Sequence, residues 1–126
     1  MTSLPVRRAV VLFGHGSRDP LWHKPMEAVM ARVQTRQPGL PVRCAYLELS
    51  TPDLPTACEA LIATGVNEIS IVPMFLGVGR HAREDLPHIV AGLARSHPQV
   101  AFRLRPAVGE DPRLLQVLSD IAVSPD

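Results

Sequence analysis

Ala9-Val10-Val11-Leu12-Phe13-Gly14-His15-Gly16-Ser17-Arg18 is an apolar run followed directly by a histidine with a glycine on each side. The apolar run predicts a strand that is covered on both faces, as in a parallel sheet. Glycine on each side of His15 opens backbone conformations that other residues avoid and lets a ligand approach closely. His15 is therefore the first candidate for a functional residue.

Three more apolar segments predict a sheet of four strands. The predicted strands cover about residues 8–13, 42–47, 68–74 and 100–104. Helical spacing of apolar residues recurs between and after them, for example at Leu86, Ile89, Val90 and Leu93. Four strand–helix units predict right-handed crossovers, helices on both faces and the strand order 2-1-3-4. The predicted fold is α/β, a three-layer sandwich around a four-stranded parallel sheet.

Aspartates and prolines mark the predicted helix ends. Asp53 and Asp111 each precede a first turn that contains proline, which predicts two N-caps. Pro25 and Pro87 leave the starts of the first and third helices undefined within several residues. The pattern therefore predicts that these helices exist, but it does not define the residue at which the first and third helices begin.

Size and composition narrow the class of protein. The 126 residues are expected to form one domain, 1–126, and a net charge of +1 with few aromatic residues argues against nucleic-acid or membrane-surface binding. The apolar run near the N-terminus is too short for a signal peptide or a membrane span. Cys44 and Cys58 are interpreted as buried thiols in a reducing compartment. We therefore expect a soluble cytoplasmic protein.

Three chemically active side chains follow the first three predicted strands. His15 follows the first strand, Glu48 the second, and His81 lies in the turn after the third. Ligands of open parallel sheets bind beyond the carboxyl ends of the strands, so these residues are expected at one edge. Imidazole and carboxylate suit divalent cobalt, iron, nickel or zinc, and histidine accepts protons near neutral pH. Glu48 could instead cap the backbone amides that follow it.

Basic residues and glycines accompany these candidates. Arg18, Arg80 and Arg83 are expected at the same edge and could bind an acidic small molecule, because guanidinium binds carboxylates in a bidentate way. Gly77 and Gly79 give the turn before His81 flexibility, although they also suit an anion-binding loop. Neither nucleotide-binding glycine motif is present in the sequence. The chemistry is therefore expected to proceed without bound ATP.

The remaining polar candidates are interpreted as structural. Ser17 is expected to be a helix N-cap first and a nucleophile only second. His23 could reach the site, but it is expected at the surface near Pro25. His88 is expected to be solvated, and His97 to close the third helix.

Three alternatives to metal or proton chemistry at these residues remain open. His15 with nearby arginines could form a phosphohistidine, although Gly14 stands where histidine phosphatases have arginine. A carrier that binds a metal or an organic ligand without turnover would need the same binding groups. A purely structural α/β module would leave the two glycine-associated histidines without a role.

Three segments together resemble the sirohydrochlorin chelatase family in its short CbiX/SirB form. The segments are Val10-Val11-Leu12-Phe13-Gly14-His15-Gly16-Ser17-Arg18, Tyr46-Leu47-Glu48, and Val72–His81 followed by Glu84-Asp85-Leu86-Pro87. The resemblance implies the chelatase α/β fold and ATP-independent insertion of cobalt or ferrous iron into sirohydrochlorin. That activity belongs to the biosynthesis of tetrapyrroles such as cobalamin and sirohaem.

The resemblance also assigns roles. It implies that His15 and His81 handle the metal or accept protons and that Glu48 assists them. Co²⁺ or Fe²⁺ would be a substrate, with no prosthetic group. Longer relatives contain two such domains facing each other across a cleft, so a homodimer of this chain is expected to restore that cleft.

Overall fold

The computed structural model describes residues 5–126, and it has four strands and four α-helices in alternation. The strands are β1 (Arg8–Gly14), β2 (Val42–Tyr46), β3 (Glu68–Pro73) and β4 (Ala101–Leu104). The helices are α1 (Lys24–Arg36), α2 (Leu54–Ala63), α3 (Arg80–Ser96) and α4 (Pro112–Val123), with 3₁₀ helices at Pro20–His23 and Val108–Glu110. The predicted strands differ from these by one residue at most at either end.

All strand pairs are parallel, and the order in the sheet is β2-β1-β3-β4. The predicted α/β class and strand order are therefore confirmed. β1 is central, and six of its seven residues are buried, which agrees with its nearly continuous apolar sequence. This topology brings the carboxyl ends of β1, β2 and β3 to one edge.

Helices cover the two faces of the sheet unequally. On one face, α2 and α3 pack over a core that includes Phe13, Leu54 and Ile71. On the other face, α1 packs over Leu12 and Cys44. Burial raises the pKa of both cysteine thiols, that of Cys58 to about 12, because the apolar surroundings disfavour the thiolate.

α4 has no buried residue, although its sequence is amphipathic. Leu115, Val117, Ile121 and Val123 each keep more than half of their surface exposed. Val117 and Ile121 are four positions apart and lie on one face of the helix, whereas Leu115 lies on the opposite face. We call Val117 and Ile121 the α4 stripe. The helix contacts the 3₁₀ helix Val108–Glu110 that precedes it.

The connection between β4 and α4 supports the turn that follows β3. Gly109 N–H donates to Phe75 O at 2.9 Å, and a Cβ at Gly109 would collide with the carbonyl of Leu76. Gly77 and Gly79, further along the turn, have open space where a Cβ would stand. The turn is thus fixed at Phe75 and Leu76 and open from Gly77 onward.

Proline has different effects in the four helices. Asp53 and Asp111 are N-caps as predicted, and each accepts a backbone N–H of the first turn. α1 begins one residue before Pro25. α3 begins at Arg80 and continues through Pro87, which is exposed. None of the helices in residues 5–126 has the length and apolar character needed to cross a membrane.

Candidate active site

Two loops at the carboxyl edge of the sheet bring His15 and Glu48 together. The parallel pairing of β1 and β2 continues beyond the strands, because Leu47 N–H donates to Gly14 O at 3.0 Å and Glu48 N–H donates to His15 O at 3.1 Å. We call residues 14–19 the β1 loop and residues 47–53 the β2 loop. Their backbone bonds set the side chains of His15 and Glu48 next to each other.

Gly16 is required by the close approach of these two loops. Its φ of +104° lies in the region that favours glycine, and a Cβ there would collide with the carbonyl oxygen of Glu48. Leu49 also has a positive φ, 63°, and its side chain is 54% exposed. Glycine adopts a positive φ without strain, so the local backbone strain lies at Leu49 in the β2 loop.

The His15 imidazole and the Glu48 carboxylate form an exposed pair. Nε2 of His15 is 3.2 Å from Oε1 of Glu48, and the two side chains are 55% and 54% exposed. A carboxylate beside an imidazole can stabilise the ring after it accepts a proton, and it orients the ring for a ligand at the other nitrogen. The pair is open to solvent, so a large substrate can reach it.

His81 forms a second pair of the same kind, with Asp85. His81 lies in the first turn of α3, and its Nε2 is 2.9 Å from Oδ2 of Asp85, one helical turn later. The His81 side chain is 81% exposed. Asp85 was not predicted as a partner of His81, although its spacing of four residues from His81 is typical of neighbours on one helix face.

The two pairs are separate in this structure. His15 follows β1 and His81 follows β3, which is the neighbour of β1 in the sheet. Within residues 5–126, no three His, Cys, Asp or Glu side chains are close enough together to hold a metal ion. The structure therefore joins His15 to Glu48 and His81 to Asp85, and it does not join the two histidines into one ligand cluster.

The predicted basic residues lie around the pairs in different settings. Arg18 lines a cleft of about 350 Å³ beside the β1 and β2 loops. Arg80 donates from Nε to Glu84 at 3.1 Å, in an exposed pair. Arg83 lines a shallow groove of about 150 Å³ together with Val78. Arg18 and Arg83 are both exposed, so their guanidinium groups are accessible to an acidic ligand.

The expectations for Ser17 and His23 are wrong. Asp19 caps the 3₁₀ helix, whereas Ser17 bonds to Ser50 in the β2 loop. His23 is half-buried, and its Nε2 is 2.8 Å from Ser50 Oγ. A turn inserted before α1 directs His23 toward the β2 loop, a contact that apolar periodicity does not reveal.

Hydrogen bonds hold the end of the β2 loop in place. Tyr46 N–H donates to Pro52 O at 3.0 Å, and Asp53 caps α2 by accepting from Thr56 N–H at 2.9 Å. Hydrogen bonds from the side chain and backbone of Thr56 hold the pKa of Asp53 below its usual value. Burial raises the pKa of Tyr46 to about 12, so this phenol stays protonated and does not serve as a base near neutral pH.

Two exposed histidine–carboxylate pairs thus lie beyond the strands of a parallel α/β sheet, and groups of this kind can accept protons or bind divalent metals. The chain belongs to the CbiX family, whose model matches residues 9–123.

Named relatives of this chain are chelatases. The sirohydrochlorin cobaltochelatase of Methanothermobacter thermautotrophicus is 36% identical over 81 residues, which are 64% of this chain and 56% of that protein. The sirohydrochlorin ferrochelatase of Bacillus subtilis is 26% identical over 114 residues, 90% of this chain and 43% of that protein. This chain thus spans about half the length of these curated relatives.

The fold has a close structural counterpart. The crystal structure of a CbiX protein from Marinobacter aquaeolei superimposes with a TM-score of 0.80 and 31% identity, over 91% of this chain and 93% of that one. The chelatase-like α/β fold expected from the sequence is therefore confirmed.

Proposed function

We propose that this chain inserts a divalent metal, cobalt or ferrous iron, into sirohydrochlorin without ATP. The observation that carries the proposal is the exposed His15–Glu48 pair at the carboxyl edge of the sheet of a CbiX-family chain. Relatives named as sirohydrochlorin cobaltochelatase and ferrochelatase support the substrate and both metals. The metal ion enters as a substrate and leaves in the product.

The reaction requires groups that accept protons. A divalent ion replaces two pyrrole protons of the macrocycle, so each insertion releases two protons. Two imidazoles, each backed by a carboxylate, match this demand in number and in chemistry. Neutral imidazole is also a good ligand for Co²⁺ and Fe²⁺, so the same nitrogen can deliver metal or accept a proton.

His15 and Glu48 are proposed as the central pair. Because Nε2 of His15 faces Glu48, the carboxylate sets the ring orientation and offsets the charge of a protonated ring. This leaves Nδ1 for the incoming metal or for a pyrrole proton. His81, oriented by Asp85 in the same way, is proposed as the second acceptor or ligand, brought near the macrocycle when substrate fills the edge.

Arg18, Arg80 and Arg83 are proposed to bind the acidic side chains of the macrocycle, which bears eight carboxylates. Arg18 and Arg83 line open clefts on either side of the site. Arg80 would exchange its exposed partner Glu84 for a substrate carboxylate at little cost, since exposed ion pairs contribute about 0–1 kcal/mol. Gly77 and Gly79 let the intervening turn move aside for a flat ligand.

A second copy of the chain is proposed to complete the cleft. Residues 1–126 form one chelatase-like domain in this proposal, and the exposed α4 stripe is an apolar surface suited to self-association. A sedimentation measurement at micromolar concentration is expected to give twice the chain mass of 13.7 kDa, and a monomer mass would exclude the dimer.

Both cysteines are free and buried, which supports a reducing, cytoplasmic location.

The test is an insertion assay that follows the absorbance of the macrocycle. Purified protein is expected to accelerate insertion of Co²⁺ or Fe²⁺ over many turnovers per chain. A rate equal to the uncatalysed background with both metals would overturn the proposal. Binding of metal and macrocycle at one equivalent without turnover would indicate a carrier instead.

A further inference from the structure

We propose that Ser50 and His23 are positioning residues that hold the β1 loop and the β2 loop together and so set the distance between His15 and Glu48. The inference rests on the proposed chelatase function only for its kinetic readout. The contacts that carry it lie beside the reacting residues, at a hydroxyl group where three segments of the chain meet.

The Ser50 hydroxyl joins the two loops through both backbone groups of Ser17. Ser50 Oγ donates to Ser17 O at 2.8 Å and accepts from Ser17 N–H at 3.0 Å. These two bonds lie two residues beyond the backbone bond between Glu48 N–H and His15 O. The loops are therefore joined on both sides of Gly16, where their backbones come closest.

His23 adds the third bond and fixes the direction of the other two. A hydroxyl has one hydrogen and two acceptor sites, and the hydrogen of Ser50 is used on Ser17 O. His23 Nε2, at 2.8 Å, completes the set when it carries a hydrogen and donates to Ser50 Oγ. All three bonds are then satisfied together, with Nε2–H as the proton-bearing nitrogen.

His23 itself is held by aromatic packing. Its ring meets the ring of Tyr46 edge-on, with centroids 5.1 Å apart, and Trp22 at 5.6 Å. Tyr46 ends β2 and is only 5% exposed. The imidazole thus connects the 3₁₀ helix and the end of β2 to the hydroxyl that joins the two loops.

Ser50 and His23 line the same cleft as Arg18, but their polar atoms are used within the protein. The hydroxyl of Ser50 has no hydrogen or acceptor site left for a ligand once its three bonds are made. Ser50 and His23 are both half-buried, whereas His15 and Glu48 are more than half exposed. Their effect on the reaction must therefore pass through the placement of His15 and Glu48.

The kinetic test uses substitutions that remove hydrogen bonds of His23 or Ser50 and keep most of the side-chain volume. His23→Phe keeps an aromatic ring and loses the donor, and Ser50→Ala loses the hydroxyl. His23→Phe is expected to lower kcat by about 3- to 10-fold, the usual effect of one hydrogen bond, with KM changed less than about 2-fold. Ser50→Ala removes all three bonds and is expected to lower kcat at least as much. His23→Gln, which restores an N–H donor, is expected to recover most of kcat. His88→Phe and Ser96→Ala are matched controls at exposed positions and are expected to retain wild-type kcat.

Two combinations separate positioning from general loss of stability. His23→Phe with Ser50→Ala is expected to be no worse than Ser50→Ala alone, because Ser50→Ala already removes the bond to His23. His23→Phe is expected to have no further effect on kcat in a Glu48→Gln background, since the residue it positions is already disabled. Additive losses in either combination would overturn the proposal.

A readout that needs no activity tests the contact directly. In His23→Phe, hydrogen exchange of the Ser17 and Glu48 amides is expected to accelerate about 3- to 10-fold, while exchange in the central strand β1 stays unchanged. Unchanged exchange at both loop amides would overturn the proposal even if the protein is an active chelatase. Faster exchange in a protein that inserts no metal would refute the chelatase function and retain the positioning role.

Discussion

The two histidine–carboxylate pairs contain the same chemical groups, but the structure brings the members of each pair together in different ways. His15 and Glu48 come from loops that are 33 positions apart in sequence and are held by backbone bonds, a required glycine and the Ser50 hydroxyl. His81 and Asp85 come from one turn of α3 and need only the helix to meet. The first pair depends on the whole sheet, whereas the second depends on local structure beside an open turn. We interpret the first as the fixed half of the site and the second as the movable half.

The largest effect is expected from removing the fixed histidine. His15→Ala should lower the insertion rate by about 100-fold or more, because a positioned acid–base group typically contributes that much. Insertion kinetics measure the effect, with His88→Ala as an exposed control and the midpoint of thermal unfolding as a check on folding. A rate within twofold of wild type would remove His15 from the mechanism.

Glycine substitutions should distinguish the two regions by stability. Gly16→Ala forces a Cβ against the Glu48 carbonyl at a positive φ and is expected to destabilise the fold by about 2–4 kcal/mol. Gly77→Ala, where the space is open, is expected to change the free energy of unfolding by less than about 0.5 kcal/mol. Denaturant unfolding compares the two variants. Equal losses would mean that the two loops are equally constrained.

A smaller loss of rate is expected at the movable pair. His81→Ala should lower the insertion rate by about tenfold, and Asp85→Asn by less, because the amide still orients the ring without offsetting its charge. Both variants should unfold like the wild type, since the side chains are exposed in the first turns of α3. If His81→Ala impaired the rate more than His15→Ala, the assignment of fixed and movable halves would be reversed.

The smallest effects on stability are expected at the N-termini of α2 and α3, the helices that follow the β2 loop and the turn after β3. Asp53→Ala should cost about 1 kcal/mol near neutral pH by removing the cap of α2. Because the folded pKa of Asp53 is lowered, its ionic contribution is present above the usual value of 3.8 and is lost as the pH falls through the lowered value. The difference between wild type and Asp53→Asn should therefore shrink in acid, as unfolding measured across the acid range would show.

A substitution at Gly79, the N-cap position of α3, is the counterpart of the change at Asp53. α3 has no side-chain cap at its N-terminus, and a Cβ at Gly79 would meet nothing. Gly79→Ser should therefore stabilise the protein by a few tenths of a kcal/mol, measured by the same unfolding experiment. A destabilised variant would show that this turn is more constrained than its open surroundings indicate.

The sequence predicted the sheet well because β1 and β3, its two central strands, are nearly continuous apolar runs. It predicted the edge that carries His15, Glu48 and His81 because the carboxyl ends of parallel strands share one side. It did not select Asp85 as a partner of His81, since that pairing requires a helix that begins before Pro87. Proline inside a helix usually argues against such a start, but here its ring lies on the exposed side of α3.

The role of His23 could not be predicted for a different reason. Its partner Ser50 is 27 positions away, and the contact depends on a short 3₁₀ helix that Asp19 caps. Apolar periodicity predicts long elements and is insensitive to a single turn of this kind. The hydrogen bonds of Ser17 to Ser50 are hidden from sequence for the same reason.

The contact of Gly109 with Leu76 also bears on how the site can change in length. Because the turn is fixed at Leu76 and α3 begins at Arg80, extra residues inserted between Gly77 and Gly79 would leave both the sheet and the helix in register. Lengthening a flexible loop is inexpensive, about 0.6 kcal/mol for each doubling. This turn is therefore where the chain can accept insertions that reshape the proposed site for a ligand with different substituents, without changing the fold beneath it.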